Sequence, residues 1–369
     1  MTGMTTALRR EQVLGYRVRA QQLDREEGEL ADTTVLDVGA QDTGPDGALW
    51  ALAIRGVDVS GVSDDDLAMA WTIRGAPHVY RRSDLPHVAT SVWPYSEADA
   101  AKRVFDATKP LKEAGIGALE ALGEVARTMR SVVTEPMAKG EVSTRMTALM
   151  GRPYLRYCRP CQATHLYEMP FRLAALHAGL ELRPRTSPPV LRPVPGFEWA
   201  GGAGRRYDVI RGYLRVYGPA TPKQVAEYLE APVKEVRAHW PADTVEVSLD
   251  GQTRWLLAED ADLLEAGPVR TTRLLGPYDL FLQARDRSLL VAEPRRAKEL
   301  WPVLGRPGAV LSDGEIVGTW RPRKAGKSFA VRVELWTGDS TSLRGAVEEQ
   351  AEKLAQYRGS RLSSVDFAE

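Results

Sequence analysis

Cysteine is nearly absent from the chain. Two residues in 369, Cys158 and Cys161, cannot build a disulfide framework, which fits a reducing compartment. Net charge is absent as well: 49 basic side chains balance 49 acidic ones, which excludes a protein that holds polyanions by its bulk charge. No apolar run approaches the ~20 residues that a membrane-spanning helix needs. Residues 1–11 lack the charged-then-apolar pattern of a secretory signal. There is no low-complexity segment, and the longest linker-like stretch is the Pro-rich 184–195. The expectation is a cytoplasmic protein with no membrane attachment and no obligate protein partner. What is present, 43% hydrophobic and 27% charged residues, is ordinary globular composition. The length suffices for two or three domains with real cores.

The balanced charge hides an uneven distribution. Residues 1–133 carry 15 basic and 20 acidic side chains, and 203–267 carry 8 and 11. Between them, 134–202 carry 9 basic against 5 acidic, and 268–327 carry 12 against 6. Contact with a polyanion would therefore run through these two local excesses.

Hydrophobic spacing and turn residues divide the chain into recurring groups. Residues 8–23 read as a helix, 32–38 and 48–55 as two more, and Asp64-Asp65-Asp66 as the cap of another at 67–71. Two short strands around Gly75-Ala76-Pro77 follow, within 72–80. Helices followed by a hairpin are the order of a winged helix. The order recurs with helices at 118–133, 140–150 and 163–178 and a wing at 180–191. A third copy has a helix at 207–217, a second started by Thr221 as N-cap and Pro222 at the first position, and a third from Ala231-Pro232 to Trp240. Its strands, 244–248 and 253–257, flank the hairpin turn Asp250-Gly251. Beyond Thr271 the pieces at 273–281, 288–291, 309–311, 315–320 and 329–335 read mostly as strands, with turns at Asp313-Gly314 and Ala325-Gly326-Lys327. An amphipathic helix at 341–357 follows them. The expected fold class is α+β: three tandem winged-helix domains (1–115, 116–202, 203–267), then a small β-rich, barrel-like domain with a terminal helix (268–369).

Gly39-Ala40-Gln41-Asp42-Thr43-Gly44 stands between the apolar residues Val35, Leu36 and Val38 and the run Ala48-Leu49-Trp50-Ala51. A Gly-rich turn of this kind sets polar side chains on a rigid support. The plainer reading is a helix-to-helix turn with Asp42 or Thr43 as an N-cap. Further pieces are Trp71-Thr72-Ile73-Arg74-Gly75-Ala76-Pro77-His78, Gly218-Pro219-Ala220-Thr221, Leu275-Gly276-Pro277-Tyr278-Asp279, Arg285-Asp286-Arg287 and Val317-Gly318-Thr319-Trp320-Arg321.

Taken in this order over roughly 300 residues, these pieces resemble the AlkZ/YcaQ-type DNA glycosylases. The resemblance implies three winged helices and a β-rich domain folded around double-stranded DNA, and hydrolysis of the N-glycosidic bond of alkylated purines, including bulky adducts and interstrand crosslinks, in DNA repair or self-resistance. The family's catalytic signature is glutamine, an apolar residue, then glutamine or aspartate. Gly39-Ala40-Gln41 keeps only its second glutamine, and Gln41-Asp42-Thr43 lacks the apolar spacer. The catalytic candidates are therefore Gln41 and Asp42. Glutamine's amide oxygen can accept from a water while staying neutral. A purine alkylated on N7 already carries positive charge and leaves without a general acid, so the tasks left are placing water and stabilising an oxocarbenium-like sugar. Asp42 would supply negative charge to that cation or polarise the water.

The resemblance places His78 near the DNA, as a phosphate or lesion contact or as a satisfied structural histidine. Arg74 is a candidate phosphate or carboxylate clamp. Trp320-Arg321-Pro322-Arg323-Lys324-Ala325-Gly326-Lys327 reads as a DNA-probing hairpin, with Trp320 inserting into a groove and Arg321, Arg323, Lys324 and Lys327 on the backbone, or else as a solvated basic turn. Cys158 and Cys161 with His165 have the opening of a zinc site, with Glu168 or His177 as conceivable fourth ligands. They are read instead as buried packing residues beside Tyr154 and Tyr157, so neither metal nor cofactor is expected. The competing function is a winged-helix DNA-binding or regulatory protein without catalysis, since fold alone does not decide chemistry.

Overall fold

The computed structural model describes residues 6–325, 328–337 and 340–368. It is a mixed α+β chain that divides into two compact units.

The first unit comprises Met1–Val62, Tyr213–Gln224 and Pro241–Glu369. Its N-terminal helix, Arg10–Ala20, is followed by the short helix Val35–Val38, the strand Ala40–Gln41 and the helix Ala48–Ala53. A three-stranded sheet joins Thr6–Leu8, parallel, to Thr244–Leu249, which turns back into Gln252–Leu257. Asp250 and Gly251 hold φ of 52° and 74° at that turn. This is the paired positive-φ geometry that Asp-Gly is suited to.

A five-stranded sheet forms the other half of this unit. Thr272–Leu275, Gly308–Ser312, Glu315–Ala325 and Ser328–Leu335 pair antiparallel in chain order, and Leu362–Phe367 joins parallel to the last of them. The parallel pairing is possible because the helix Thr341–Tyr357 intervenes as a crossover. It buries Val347, Ala351, Leu354 and Ala355, spaced to line one helical face. Ser340 caps its N-terminus, accepting from Leu343 N at 3.2 Å.

The second unit comprises Ser63–Gly212 and Val225–Trp240. Its sheet runs in the order Pro77–Arg81, Leu67–Trp71, Leu180–Leu182, Val190–Pro193, Met137–Ala138. Helices Leu85–Val92, Glu97–Arg103, Ala118–Val132, Lys139–Leu149 and Glu168–Ala175 belong to the same unit. The longest of them buries Ala118, Ala121, Leu122, Val125, Ala126, Met129 and Val132, positions that fall on one helical face. Glu97 accepts from its exposed end at Leu119 N, 3.0 Å, and also from Ala118 N. One part of the core gathers Ala68, Ala70, Tyr80, Leu85, Val88 and Ala89.

Several expected elements differ. The first of the two strands expected within 72–80 is a helical turn, Ile73–Gly75, and the piece at 273–281 is a strand only over Thr272–Leu275, with a helical turn at Leu280–Gln283. Residues 67–71 are a strand, buried at all five positions, because the strand lies inside the sheet with a neighbour on each side. Covered on both faces, it has no polar alternation to mark it. The helix expected over 163–178 is a strand, Ala163–Leu166, followed by the helix Glu168–Ala175. Residues 288–291 belong to a helical turn, Arg287–Leu290, rather than a strand. In the third helical group Thr221 and Gln224 satisfy each other as expected of a capped start: Gln224 N donates to Thr221 Oγ1 at 3.3 Å and Thr221 N to Gln224 Oε1 at 2.7 Å.

Candidate active site

Gly39 ends the Val35–Val38 helix with a φ of 91°, a value that suits glycine, and Ala40 is buried immediately after it. The chain therefore leaves the core at Gln41, which is half-buried, as are Asp42 and Thr43. Gln41 Nε2 donates to Thr43 Oγ1 at 3.1 Å, which engages the amide nitrogen and leaves Oε1 as the end suited to accept from water. Asp42 Oδ1 accepts from Ala48 N at 3.0 Å and so caps the helix Ala48–Ala53 from six residues upstream. Gly47 is demanded here, since a Cβ on it would overlap Asp42 Oδ1.

The turn is held from beneath. Asp46 is buried and takes both ends of the Arg358 guanidinium, Nε at 2.8 Å and Nη2 on the second oxygen. A Cβ at Gly276 would overlap Asp46 O, so glycine is needed for the two backbones to approach. Two residues of the helix after the turn reach the same region: Trp50 Nε1 donates to Leu274 O at 2.7 Å, and Ala51 O accepts from Arg55 at 2.7 Å. Arg55 in turn grips Asp279 with two bonds of 2.8 and 3.0 Å, the two side chains 0% and 1% exposed. Gly276-Pro277-Tyr278-Asp279 thus acts as the footing of the Gln41 turn. Neither Arg358 nor Asp46 stood out in the sequence, because an ion pair 312 residues apart leaves no local pattern.

Asp286, from Arg285-Asp286-Arg287, is a second buried anchor of the same unit. Arg17 meets it with bonds of 2.9 and 2.8 Å, and Arg254 adds one of 2.6 Å. Burial pushes its carboxyl up, but the two guanidinium groups outweigh burial and hold it below the usual carboxylate range.

Arg74 and His78 lie in the other unit. Arg74 occupies the left-handed region, φ 57°, at the tip between the strands Leu67–Trp71 and Pro77–Arg81. Its Nη1 donates to Tyr228 O at 2.7 Å and its guanidinium lies 4.7 Å from the centre of the Tyr228 ring. His78 is buried, 2% exposed. Nδ1 donates to Ala76 O at 3.0 Å and lies 3.0 Å from Thr72 Oγ1, which also bonds the Tyr80 hydroxyl at 2.8 Å. Burial above all, and then Arg74, pushes the imidazole down to about 3, so it is neutral at physiological pH. This is the setting of a structural histidine, a buried neutral ring bonded within a network of Thr72, Ala76 and Tyr80.

Trp320 needs correction. It is 1% exposed, its Nε1 donates to Leu275 O at 2.9 Å, and a Cβ on Gly308 would overlap its ring. The indole is a core residue with no face to insert into a groove. The side chains past it do emerge: Arg321 and Arg323 are exposed, and Arg321 Nη1 donates to Gly305 O at 2.8 Å. Lys324 is placed on the strand by its backbone alone, and Lys327 lies outside the described residues. The hairpin register adds a residue that composition did not single out. Arg332 is exposed and directly opposite Arg321. Like charges facing each other across a ladder repel, and Asp366, opposite Arg332 on the next strand and 3.7 Å from Arg323, offsets part of this positive charge.

Cys158, Cys161 and His165 are not buried packing residues. They sit on and around the turn of the hairpin Leu155–Cys158/Ala163–Leu166, with Cys161 exposed and Cys158 half-buried. Tyr157 beside them is 64% exposed.

A family model described as "DNA glycosylase AlkZ-like" matches residues 34–357. The fold is similar to the solved structure of the DNA glycosylase AlkZ of Streptomyces sahachiroi, with a TM-score of 0.74 at 19% identity, covering 98% of this chain and 100% of that one. No curated protein matches the sequence.

Proposed function

Since the chain belongs to the AlkZ-like DNA glycosylase family, a family of N-glycosyl hydrolases acting on DNA, we propose that it excises alkylated purines, bulky adducts and crosslinked bases among them, from duplex DNA. The observation that carries this reading is the Gly39–Gly47 turn, where Gln41 is half-buried, oriented by Thr43, and fixed at its far side by Asp42 on Ala48 N.

An N7-alkylated purine is a cationic leaving group, and its bond to C1′ needs no protonation to break. Gln41 Oε1 accepts a hydrogen bond from the attacking water and directs its lone pair at C1′, while the carbonyl dipole stabilises the developing oxocarbenium. A neutral amide is a weak base, sufficient where departure leads and water follows. Asp42 is assigned to positioning through its cap on Ala48, with its charge favouring the sugar cation.

Arg321, Arg323, Lys324, Lys327 and Arg332 are proposed as the backbone contacts of the basic hairpin, their mutual repulsion relieved by phosphate. Arg74 is proposed to lend a remaining guanidinium donor to phosphate. Four parts in chain order are proposed, 1–115, 116–202, 203–267 and 268–369, the first three winged helices, a division by sequence order that differs from the two compact units. In support, three helices precede a strand pair in each: Arg10–Ala20, Val35–Val38 and Ala48–Ala53 before Leu67–Trp71 and Pro77–Arg81; Ala118–Val132, Lys139–Leu149 and Glu168–Ala175 before Leu180–Leu182 and Val190–Pro193; Val209–Tyr217, Pro222–Leu229 and Val233–Ala238 before Thr244–Leu249 and Gln252–Leu257.

The test is incubation with duplex DNA carrying N7-methylguanine, with released base measured by chromatography. Release of the free base, leaving an abasic site, is expected. Binding without release would return the chain to the class of non-catalytic DNA-binding proteins.

A further inference from the structure

The hairpin tip in the second unit carries chemistry that base excision does not use. We propose that Cys158, Cys161 and His165 bind one zinc ion, with the fourth coordination position left to water. The two sulfurs and an imidazole nitrogen all lie within 4.8 Å of one another. In a tetrahedral site with Zn–S of about 2.3 Å, two sulfurs stand roughly 3.8 Å apart, so closure asks for at most about 1 Å of movement by the side chains. The backbone already provides the cradle. Cys158 ends one strand, Gln162 takes a left-handed φ of 49° in the turn, and His165 returns on the partner strand, opposite Arg156.

The histidine is prepared as a ligand. Its Nδ1 donates to Leu166 O at 2.7 Å, which fixes the proton on that nitrogen and leaves Nε2 with the lone pair. A backbone carbonyl holding the far nitrogen is the usual outer support of a metal-bound imidazole. The Cys161 backbone N–H and the His165 side chain both hydrogen-bond the Cys158 sulfur, which already draws the three groups together. Two thiolates and one imidazole form a soft donor set that suits zinc. They also neutralise its charge, and the two thiol protons leave to solvent on binding.

Neither sequence-level candidate supplies a fourth ligand. Glu168 Oε1 is taken by Lys139 and Arg172, each at 2.6 Å, and His177 is buried against Trp93 and Trp199, with ring centres 4.1 and 4.6 Å away. Among the described residues the group ends at three. The zinc would clip the turn end of a two-stranded hairpin that pairs with none of the larger sheets.

The rival for a Cys-x-x-Cys pair is a redox disulfide, and one experiment separates the two. Full-length protein, expressed with added zinc and purified without chelator, is subjected to elemental analysis and thiol titration. About one zinc per chain is expected, with both thiols slow to react until a chelator is added. Cys161→Ser and His165→Ala should each lower bound zinc roughly tenfold or more after dialysis. Should a variant fail to fold, cobalt added to chelator-stripped wild type reads the site instead, through thiolate-to-cobalt charge-transfer absorption. Zinc retained in Cys161→Ser, a disulfide between Cys158 and Cys161 in the purified chain, or zinc-free protein with two freely reactive thiols would each overturn the proposal.

Discussion

Replacing Asp279 with alanine should destabilise the first unit more than almost any other single polar substitution. The Arg55 guanidinium that would lose its partner is fully buried, and its remaining acceptors are Gln21 O at 2.8 Å, Ala51 O at 2.7 Å and Gln21 Oε1 at 3.4 Å. All of these are uncharged, so the positive charge would stay buried without compensation. Breaking one side of such a pair costs about 3–5 kcal/mol. Asp279 Oδ1 also accepts from Phe281 N at 2.9 Å, and losing that cap adds roughly 1 kcal/mol. Asp279→Asn keeps an acceptor for Phe281 N and should fall between wild type and alanine. Replacing both partners, Arg55→Met with Asp279→Leu, should recover much of the loss because no charge is then left buried. The assay is urea unfolding of each variant at one pH, followed by tryptophan fluorescence. A loss below about 1 kcal/mol in Asp279→Ala would refute the claim that this pair anchors the footing of the Gln41 turn.

Acid should weaken the second unit through His78 and His177, each held neutral by burial, with Arg74 and Arg103 adding, and each pushed down to about 3. Their folded values lie below the unfolded 6.5, so their contribution is complete above 6.5 and is lost as pH falls from there. By linkage the two remove about 4 kcal/mol by pH 5. Unfolding midpoints at pH 7.5 and 5 should show it, and His177→Phe should halve the dependence; a flat profile would contradict it. Neutralising Arg321, Arg323 and Arg332 together should weaken duplex binding across all sequences and flatten the salt dependence by up to about three phosphate contacts. Unchanged affinity over a salt series would mark the hairpin as a solvated turn.

Much of the secondary structure was legible wherever one face of an element meets water. The helix Ala118–Val132 shows its buried stripe directly, and the Thr221-Pro222 start and the Asp250-Gly251 turn announce themselves by local chemistry. Leu67–Trp71 was misread because both faces are covered and periodicity vanishes. The turn bearing Gln41 was found from composition, but its supports, Arg358 on Asp46 and Arg55 on Asp279, join residues hundreds of positions apart. Trp320 stands beside Arg321 in the chain, yet strand alternation sends its indole inward while Arg321 faces out. His78 lies on a strand buried at its last four positions, which no local pattern marks. The Cys158 group was mistaken for packing because a cysteine pair near tyrosines reads as apolar, while the hairpin turn sets it at the surface.

The most direct test of the proposed chemistry is single-turnover excision of N7-methylguanine by wild type and by Gln41→Ala at saturating enzyme, with duplex affinity measured in parallel. Gln41 acts on the water and the transition state rather than on the bound ground state. The variant should therefore bind duplex nearly as wild type does and release base about 10²–10³ times more slowly, equal to about 3–4 kcal/mol of transition-state stabilisation. A wild-type excision rate in Gln41→Ala would contradict the account and detach catalysis from the Gly39–Gly47 turn.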